Sequence, residues 1–214
     1  MKNAVILYSG GMDSTVLLYQ YRDHIKLAIS FDYGSKHNKE EQKYAKLNCK
    51  DLGIEHKVIE IDFNKLGFKS DLLKSGGAVP HGHYEDESMK KTVVPFRNGI
   101  MLSIATGLAE SLECKEVLIS NHFGDHAIYP DCRLDFIKNM SNAMKYGTYK
   151  QIEINAPFTL YDKRHVGIKG KDLGVDFSKT YSCYEGQEVH CGKCGTCVER
   201  KEALEGFDNT QYKV

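Results

Sequence analysis

Two groups of residues in this sequence have the types and spacing for chemistry. The first is Ser9-Gly10-Gly11-Met12-Asp13-Ser14. Paired glycines let the backbone approach a ligand, the Ser9 and Ser14 hydroxyls can donate to phosphate oxygens, and Asp13 can order a Mg²⁺ or its waters. Between a strand and a helix, such a turn leaves backbone N–H groups unpaired and aimed outward, which makes a phosphate site. A glycine pair alone reads equally as an ordinary strand–helix turn, and the flanking Ser9, Asp13 and Ser14 favour phosphate. The second group is Cys183-x7-Cys191-x2-Cys194-x2-Cys197, with Gly192 and Gly195 directly after two of the thiols. Thiolates at two-residue gaps wrap a tetrahedral ion such as zinc in a knuckle turn, and three positions spaced by three cannot share one face of a straight helix. A redox pair or an iron–sulfur cluster would use the same residue type. A closed set of four with no reactive partner suits a structural ion better, and His190 ranks below the cysteines as a ligand.

Further polar groups fall where strands should end. Arg97 and Asn98 open a helical stretch, where they either cap the helix or aim a guanidinium and an amide at an anionic ligand. Asn121, Asp125, Asp131 and Arg133 follow an apolar run and offer more hydrogen-bonding groups than a linker needs, as a pocket for a planar ligand would. Most of the basic run Lys163, Arg164, His165, Lys169 and Lys171 reads as a solvated helix face. Lys163 is set apart, because it starts a helix just after a strand end and can reach a phosphate.

These residues need a scaffold, and apolar periodicity supplies one. Ala4, Val5, Ile6 and Leu7 predict a buried parallel strand, and Met12, Val16 and Tyr19, widened by Leu17 and Leu18, predict the helix behind it. Further strands are expected at 27–31, 58–61, 116–120 and around Ile152 and Ile154. Helices carry Ala45, Cys49 and Leu52, then Ile100, Ile104, Leu108 and Leu112 with Ala105 and Gly107 for close packing, then Leu134, Ile137 and Met144. Short strands alternating with helices give an α/β fold, a doubly wound and mostly parallel five-stranded sheet of Rossmann-like type. It is expected to occupy residues 1–174, with a small zinc-binding subdomain at 175–214. Ligands of such sheets sit at the carboxyl ends of the strands, where residues 9–14 and 32–37 fall. The polar stretch 76–92 lacks periodicity and carries His81 and His83 beside Glu85, Asp86 and Glu87. A metal site or a solvated loop is conceivable there, and the reading adopted is a mobile lid over the active site.

The 214 residues carry 29 Lys+Arg against 29 Asp+Glu, without the basic excess of a protein living on nucleic-acid phosphates. A small-molecule substrate is expected, with no stable nucleic-acid partner. No apolar run approaches a membrane span and no signal peptide is read, so a cytoplasmic protein with reduced thiols is expected.

Taken together, the motifs resemble the QueC, or 7-cyano-7-deazaguanine synthase, family. Residues 9–14 look like the pyrophosphate (PP) loop of the wider ATP-pyrophosphatase superfamily, of adenine nucleotide alpha hydrolase fold. The discriminating pieces are Asp32-Tyr-Gly-Ser-Lys-His37, Val94-Pro-Phe-Arg-Asn98, Tyr129-Pro-Asp-Cys-Arg133 and Tyr181-Ser-Cys-Tyr184 with the later cysteines, collinear over almost the whole chain. The sequence departs from the family pattern at Tyr181, where Trp is common, and at Gly195-Thr196, where Asp-Ser is commoner. The resemblance implies a ligase forming carbon–nitrogen bonds. It would turn 7-carboxy-7-deazaguanine, ammonia and ATP into 7-cyano-7-deazaguanine for queuosine-type nucleosides, as a homodimer. It implies that Tyr8, Ser9, Gly10, Gly11, Met12, Asp13, Ser14, Thr15, Val16, Leu17 and Leu18 form the ATP loop and the helix behind it. Asp13, Lys163 and Arg97 would be catalytic, and Arg97, Asn98, Asn121, Asp131 and Arg133 would surround the substrate. Mg²⁺ would accompany ATP, and one structural zinc would sit on Cys183, Cys191, Cys194 and Cys197. Alternatives are a divergent relative that modifies phage DNA or a protein, and a PP-loop tRNA thiolase with Cys132 as nucleophile.

Overall fold

In the computed structural model, residues 2–84 and 86–213 are described; Glu85 of the polar stretch lies outside them. Strand β1 (Ala4–Leu7) runs into helix α1 (Met12–Tyr21), and β2 (Ile25–Asp32) into α2 (Asn38–Asp51) and β3 (Glu55–Glu60). Helix α3 (Arg97–Ser111), β4 (Glu116–Leu118), α4 (Leu134–Gly147), β5 (Glu153–Asn155), α5 (Lys163–Asp172) and α6 (Gly195–Ala203) follow. The strands are all parallel, in the order β3-β2-β1-β4-β5. The chain builds outward from β1 on one side, then returns and builds on the other. The crevice between β1 and β4 is therefore the point where ligands of this architecture bind.

Period-two alternation in β1 divides the core. Ala4 and Ile6 face α1, α2 and α5, together with Val16, Leu17, Leu18, Ala45 and Val166. Val5 faces α3 and α4, with Leu102, Ala105, Ala109, Ile137 and Met144. The α3 stripe differs from expectation. Leu102, Ala105 and Ala109 are buried, while Ile100, Ile104, Leu108 and Leu112 pack at the margin and Gly107 faces open space. Small residues let α3 lie close to the sheet, so the larger side chains fall at its flanks. Val175, Phe177, Ala203 and Leu204 of the C-terminal segment are buried in the same cluster as Ile6 and Leu17. Among the described residues, no helix is long and apolar enough to cross a membrane.

Strand β4 ends at Leu118, earlier than expected, which frees Ser120 and Asn121 to line the crevice. Of the 76–92 stretch, Val79, Tyr84, Met89 and Thr92 are buried and anchor it to the rest of the protein, while most of its other described residues stay exposed. Tyr84 and Met89 are buried with Ile128, Tyr129 and Cys132, and the Tyr84 hydroxyl donates to Asp125 Oδ1 at 3.0 Å.

Candidate active site

The carboxyl ends of β1 and β4 open into a cleft of about 230 Å³ whose wall includes Tyr8, Ser9, Gly11, Met12, Asp13 and Ser14. The turn between β1 and α1 is braced by its own hydroxyls. Gly11 N–H donates to Ser9 Oγ at 3.1 Å, Ser9 Oγ lies 3.1 Å from Ser14 Oγ, and Thr15 donates to the Gly11 carbonyl at 2.8 Å. No side chain caps α1, which leaves the leading amides of the helix for a ligand. Gly10 serves a different end. At φ +88°, any Cβ there would stand 2.3 Å from the Glu41 carbonyl oxygen and 2.7 Å from Ala45 N, so only glycine lets α2 press against the turn. Val16, Leu17 and Leu18 point into the core and support the turn from behind.

Lys163, the first residue of α5, reaches the turn. Its Nζ donates to Asp13 Oδ2 at 2.8 Å, lies 3.2 Å from Glu199 Oε2 and 3.2 Å from His122 Nε2. Burial opposes ionisation of Asp13, but Lys163 and His122 outweigh it and hold the carboxyl below its usual range. Burial works against the Lys163 charge too, and Asp13 and Glu199 overcome it, raising its pKa. Asp13 Oδ1 is buried with no hydrogen-bond partner. An orphaned carboxylate oxygen beside a phosphate-type turn fits a hard divalent cation.

Arg97 lines the same cleft. It is placed by Phe96, whose left-handed backbone (φ 53°) turns the chain into α3 and lays the Phe96 ring over Gly99, where a Cβ would be 2.4 Å away. The guanidinium donates to the Tyr33 hydroxyl at 3.3 Å and stacks over the same ring at 5.8 Å. Among the described residues, this is a cation with a phenol, rather than a carboxylate, in hydrogen-bonding reach. Nearby, Tyr33 also meets His37 Nε2 at 3.1 Å, and His37 Nε2 lies 3.7 Å from Glu41 Oε2. Burial pushes Glu41 up to about 8 against the pull of Arg97, and burial with Arg97 pushes His37 down to about 3.

This pair gives a pH signature. A carboxyl whose folded pKa is raised from 4.5 to about 8 stabilises the fold fully below 4.5 and loses that contribution as pH rises through 8. His37 has the opposite slope, confined between about 3 and its ordinary 6.5. Thermal melts between pH 6.5 and 9 should therefore show the wild type losing Tm while Glu41→Gln stays flatter, a difference of at most a few kcal/mol. Parallel curves would contradict the burial of this carboxyl.

Asn98 and Asn121 line the cleft and also build it. Asn98 N–H donates to Asp131 Oδ2 at 2.8 Å, and Asn121 Nδ2 donates to the Cys132 carbonyl at 2.7 Å. Asn121 Oδ1 is buried without a partner, an acceptor for a ligand donor. Asp131 thus holds the start of α3 and is not among the cleft-lining residues. Arg133 is exposed, donating through Nε to the His126 carbonyl at 2.9 Å, so the structure does not bring it to the site. Cys132 lines the cleft, but burial and the carboxylates of Asp125 and Asp131 raise its thiol well above the usual range, so it is no ready nucleophile.

Cys183, Cys191, Cys194 and Cys197 place their sulfurs within 4.8 Å of one another. A tetrahedral zinc with bonds of about 2.3 Å needs sulfurs about 3.8 Å apart, so a small adjustment suffices. Backbone N–H groups of Cys191, Lys193 and Cys194 already point at Cys183 and Cys191 sulfurs at 3.3–3.4 Å, which favours thiolates. The donor set fits a metal, consistent with zinc. His190 is excluded from it, since its Nε2 accepts from Ser182 N–H at 3.0 Å and its ring packs between Tyr181 and Tyr212.

The knuckle touches the cleft directly. Tyr181 N–H donates to the Gly10 carbonyl at 3.0 Å, and Tyr181, Ser182, Tyr184 and Thr196 line the cleft. A Cβ at Gly195 would stand 3.0 Å from Met89 Sδ and 3.2 Å from Tyr84 Cα, so glycine here admits the close approach of those two residues. Reasoning from sequence missed the roles of His37, Glu41, Tyr84, His122 and Glu199. Each is a single polar or aromatic residue on an element chosen by other signals. For Glu199 the only cue was its place two residues after Cys197 on a helix.

Comparison with known proteins agrees with this geometry. A profile of the family described as queuosine biosynthesis protein QueC matches residues 3–208. The chain is 54% identical to a 7-cyano-7-deazaguanine synthase of Porphyromonas gingivalis over 99% of this chain and 98% of that one. It is 50% identical to a protein of the same name from Desulfotalea psychrophila over the full length of both. Among solved structures, NMN synthetase from Francisella tularensis superposes with a TM-score of 0.50 at 16% identity, covering 98% of this chain and 79% of that one, a likeness of fold. From its phosphate-type turn to its cysteine knuckle, the chain belongs to the QueC family.

Proposed function

We propose that this protein is a carbon–nitrogen ligase that converts 7-carboxy-7-deazaguanine and ammonia to 7-cyano-7-deazaguanine at the expense of ATP. Family membership at 54% identity over nearly the whole chain supports the reaction class. The observation that carries the site assignment is one cleft lined by the phosphate-type turn, Lys163 and Arg97 together. That is the layout needed to bring a nucleotide's phosphates to a carboxylate.

A carboxylate is a poor acyl donor, and transfer of a nucleotidyl group from ATP gives it a leaving group. Ammonia then forms the amide, and a second activation at the amide oxygen permits its loss and closure to the nitrile. The chain's contribution is positioning and charge. The uncapped amides at the start of α1, the hydroxyls of Ser9 and Ser14, and Lys163 receive the phosphates. Asp13 would hold Mg²⁺ through its orphaned Oδ1, and the ion would neutralise phosphate oxygens. Zinc on the four cysteines would be structural. Arg97 takes the substrate carboxylate, while Asn98, Asn121 and the phenols of Tyr129 and Tyr184 flank the planar ring. Phosphate recognition stays within this small-molecule cleft, in a cytoplasmic homodimer that binds no nucleic acid stably.

The direct test is incubation with ATP, Mg²⁺, ammonia and the 7-carboxy compound, followed by mass analysis. The nitrile is the expected product, and unchanged acid under saturating ATP would overturn the proposal. Within that assay, Arg97→Ala should raise KM for the carboxylate by roughly 10- to 100-fold, the worth of a charged hydrogen bond. The corresponding amide, offered as substrate, should suffer far less. Equal losses with acid and amide would remove Arg97 from the carboxylate.

A further inference from the structure

We propose that Glu199 is the positioning residue of Lys163, and that the cysteine knuckle serves the active site by delivering it. The inference rests on the reading of the phosphate site given above. Glu199 is not among the cleft-lining residues. Its carboxylate, 12% exposed, lies 3.2 Å from Lys163 Nζ through Oε2 and 4.0 Å from His122 Nε2 through Oε1. It comes from α6, whose N-cap is Cys194 and whose first turn holds Cys197.

The helix that presents it is fixed from both sides. Arg200, fully buried, donates to Thr210 Oγ1, Ser182 Oγ and the Phe177 carbonyl at 2.7–2.9 Å. A Cβ at Gly167 of α5 would stand 2.8 Å from the Ala203 carbonyl oxygen, and Arg164 donates to that oxygen at 2.9 Å. The two helices are thus locked with Glu199 facing Lys163.

A lysine on four rotatable bonds is useful to a phosphate only if it is held. Asp13 holds it at 2.8 Å, but Asp13 is also the carboxylate assigned to the divalent cation. A cation on Oδ1 would draw charge from Oδ2 and weaken its hold on Lys163, and Glu199, at 3.2 Å, is the second carboxylate in ion-pair reach that keeps the ammonium in place. A knuckle that merely closed the fold would need no carboxylate two residues past its last ligand.

The test uses the full chain with its metal loaded. Glu199→Gln keeps the shape and removes the charge. Zinc should stay at one per chain, the kcat of pyrophosphate release should fall about tenfold or more, and KM for ATP should stay within about threefold. Nitrogen-15 spectra of the lysine ammonium groups give a second readout independent of turnover. The Lys163 signal, identified by its loss in Lys163→Arg, should be visible in the wild type and disappear into exchange in Glu199→Gln. Glu199→Asp, charged but one methylene shorter, should fall between the two. Loss of zinc from Glu199→Gln would overturn the proposal by assigning the residue to the knuckle. So would unchanged kcat and an unchanged Lys163 signal in a wild type that turns over ATP. A wild type inert toward ATP would instead overturn the phosphate-site reading beneath it.

Discussion

Asp13→Asn is expected to slow ATP-dependent product formation by on the order of 10²- to 10³-fold while leaving the fold in place. The variant loses a charge but keeps the shape of a half-buried side chain. Lys163 retains Glu199 at 3.2 Å, so no buried ammonium is stranded. What disappears is the negative charge on the orphaned Oδ1, and the neutral amide that replaces the carboxylate binds a hard ion poorly. The converse variant, Lys163→Ala, is less clean. It would leave Asp13 and Glu199 without their ammonium partner and with only the His122 ring beside them, and stability would fall along with activity. The measurement is pyrophosphate release at saturating substrates, paired with a thermal melt. A Tm within a few degrees of wild type and a rate within tenfold of it would remove Asp13 from the chemistry.

Removing the knuckle's metal should have the larger structural effect. The apolar support of this segment is small, with Val79 and Tyr181 beside the cysteines themselves. A zinc bound by four thiolates supplies on the order of 10 kcal/mol, more than such a cluster can replace. Stoichiometric chelation, or Cys194→Ser, should therefore free residues around 181–197 to proteolysis and lower Tm sharply. The parallel sheet, with its separate clusters on both faces, should melt later in a second transition. Activity should go with the first transition, because the knuckle segment supplies part of the cleft wall and ties down the 76–92 stretch beside it. Gly82 N–H donates to the Lys193 carbonyl at 3.3 Å, His81 pairs with Glu185 at 2.9 Å, and Tyr181 and Tyr184 form part of the wall. Full activity and one unchanged transition after complete metal removal would show the four cysteines to be dispensable.

The scaffold was legible because its signals are local. A run such as Ala4-Val5-Ile6-Leu7 reads as a strand buried on both faces inside a parallel sheet, and the four cysteines announce a shared metal-type donor set by spacing alone. The helix α3 was legible as a helix, but its inward face was not, because close approach to the sheet favours Ala105 and Ala109 over larger neighbours. Arg133 and Lys163 looked alike from the sequence, each a cation near a strand end. Only the path of the chain turns Lys163 inward and leaves Arg133 on the His126 carbonyl. The packing of the 76–92 stretch was illegible for a related reason. Tyr84 and Met89 are buried by contacts with residues far along the chain, and no local period records them.

The ion pair between Asp13 and Lys163 spans 150 positions, and Tyr181 bonds back to Gly10. On the ribosome these groups emerge in sequence, at about 5–20 residues per second. The phosphate turn is therefore made many seconds before the lysine that completes it, and the cysteines come later still. A growing chain carries the turn without its counter-charge or its wall. The four-thiol donor set is thus completed last, and a nascent chain stalled before it would lack both the wall of the cleft and the C-terminal side chains that cover one face of the sheet.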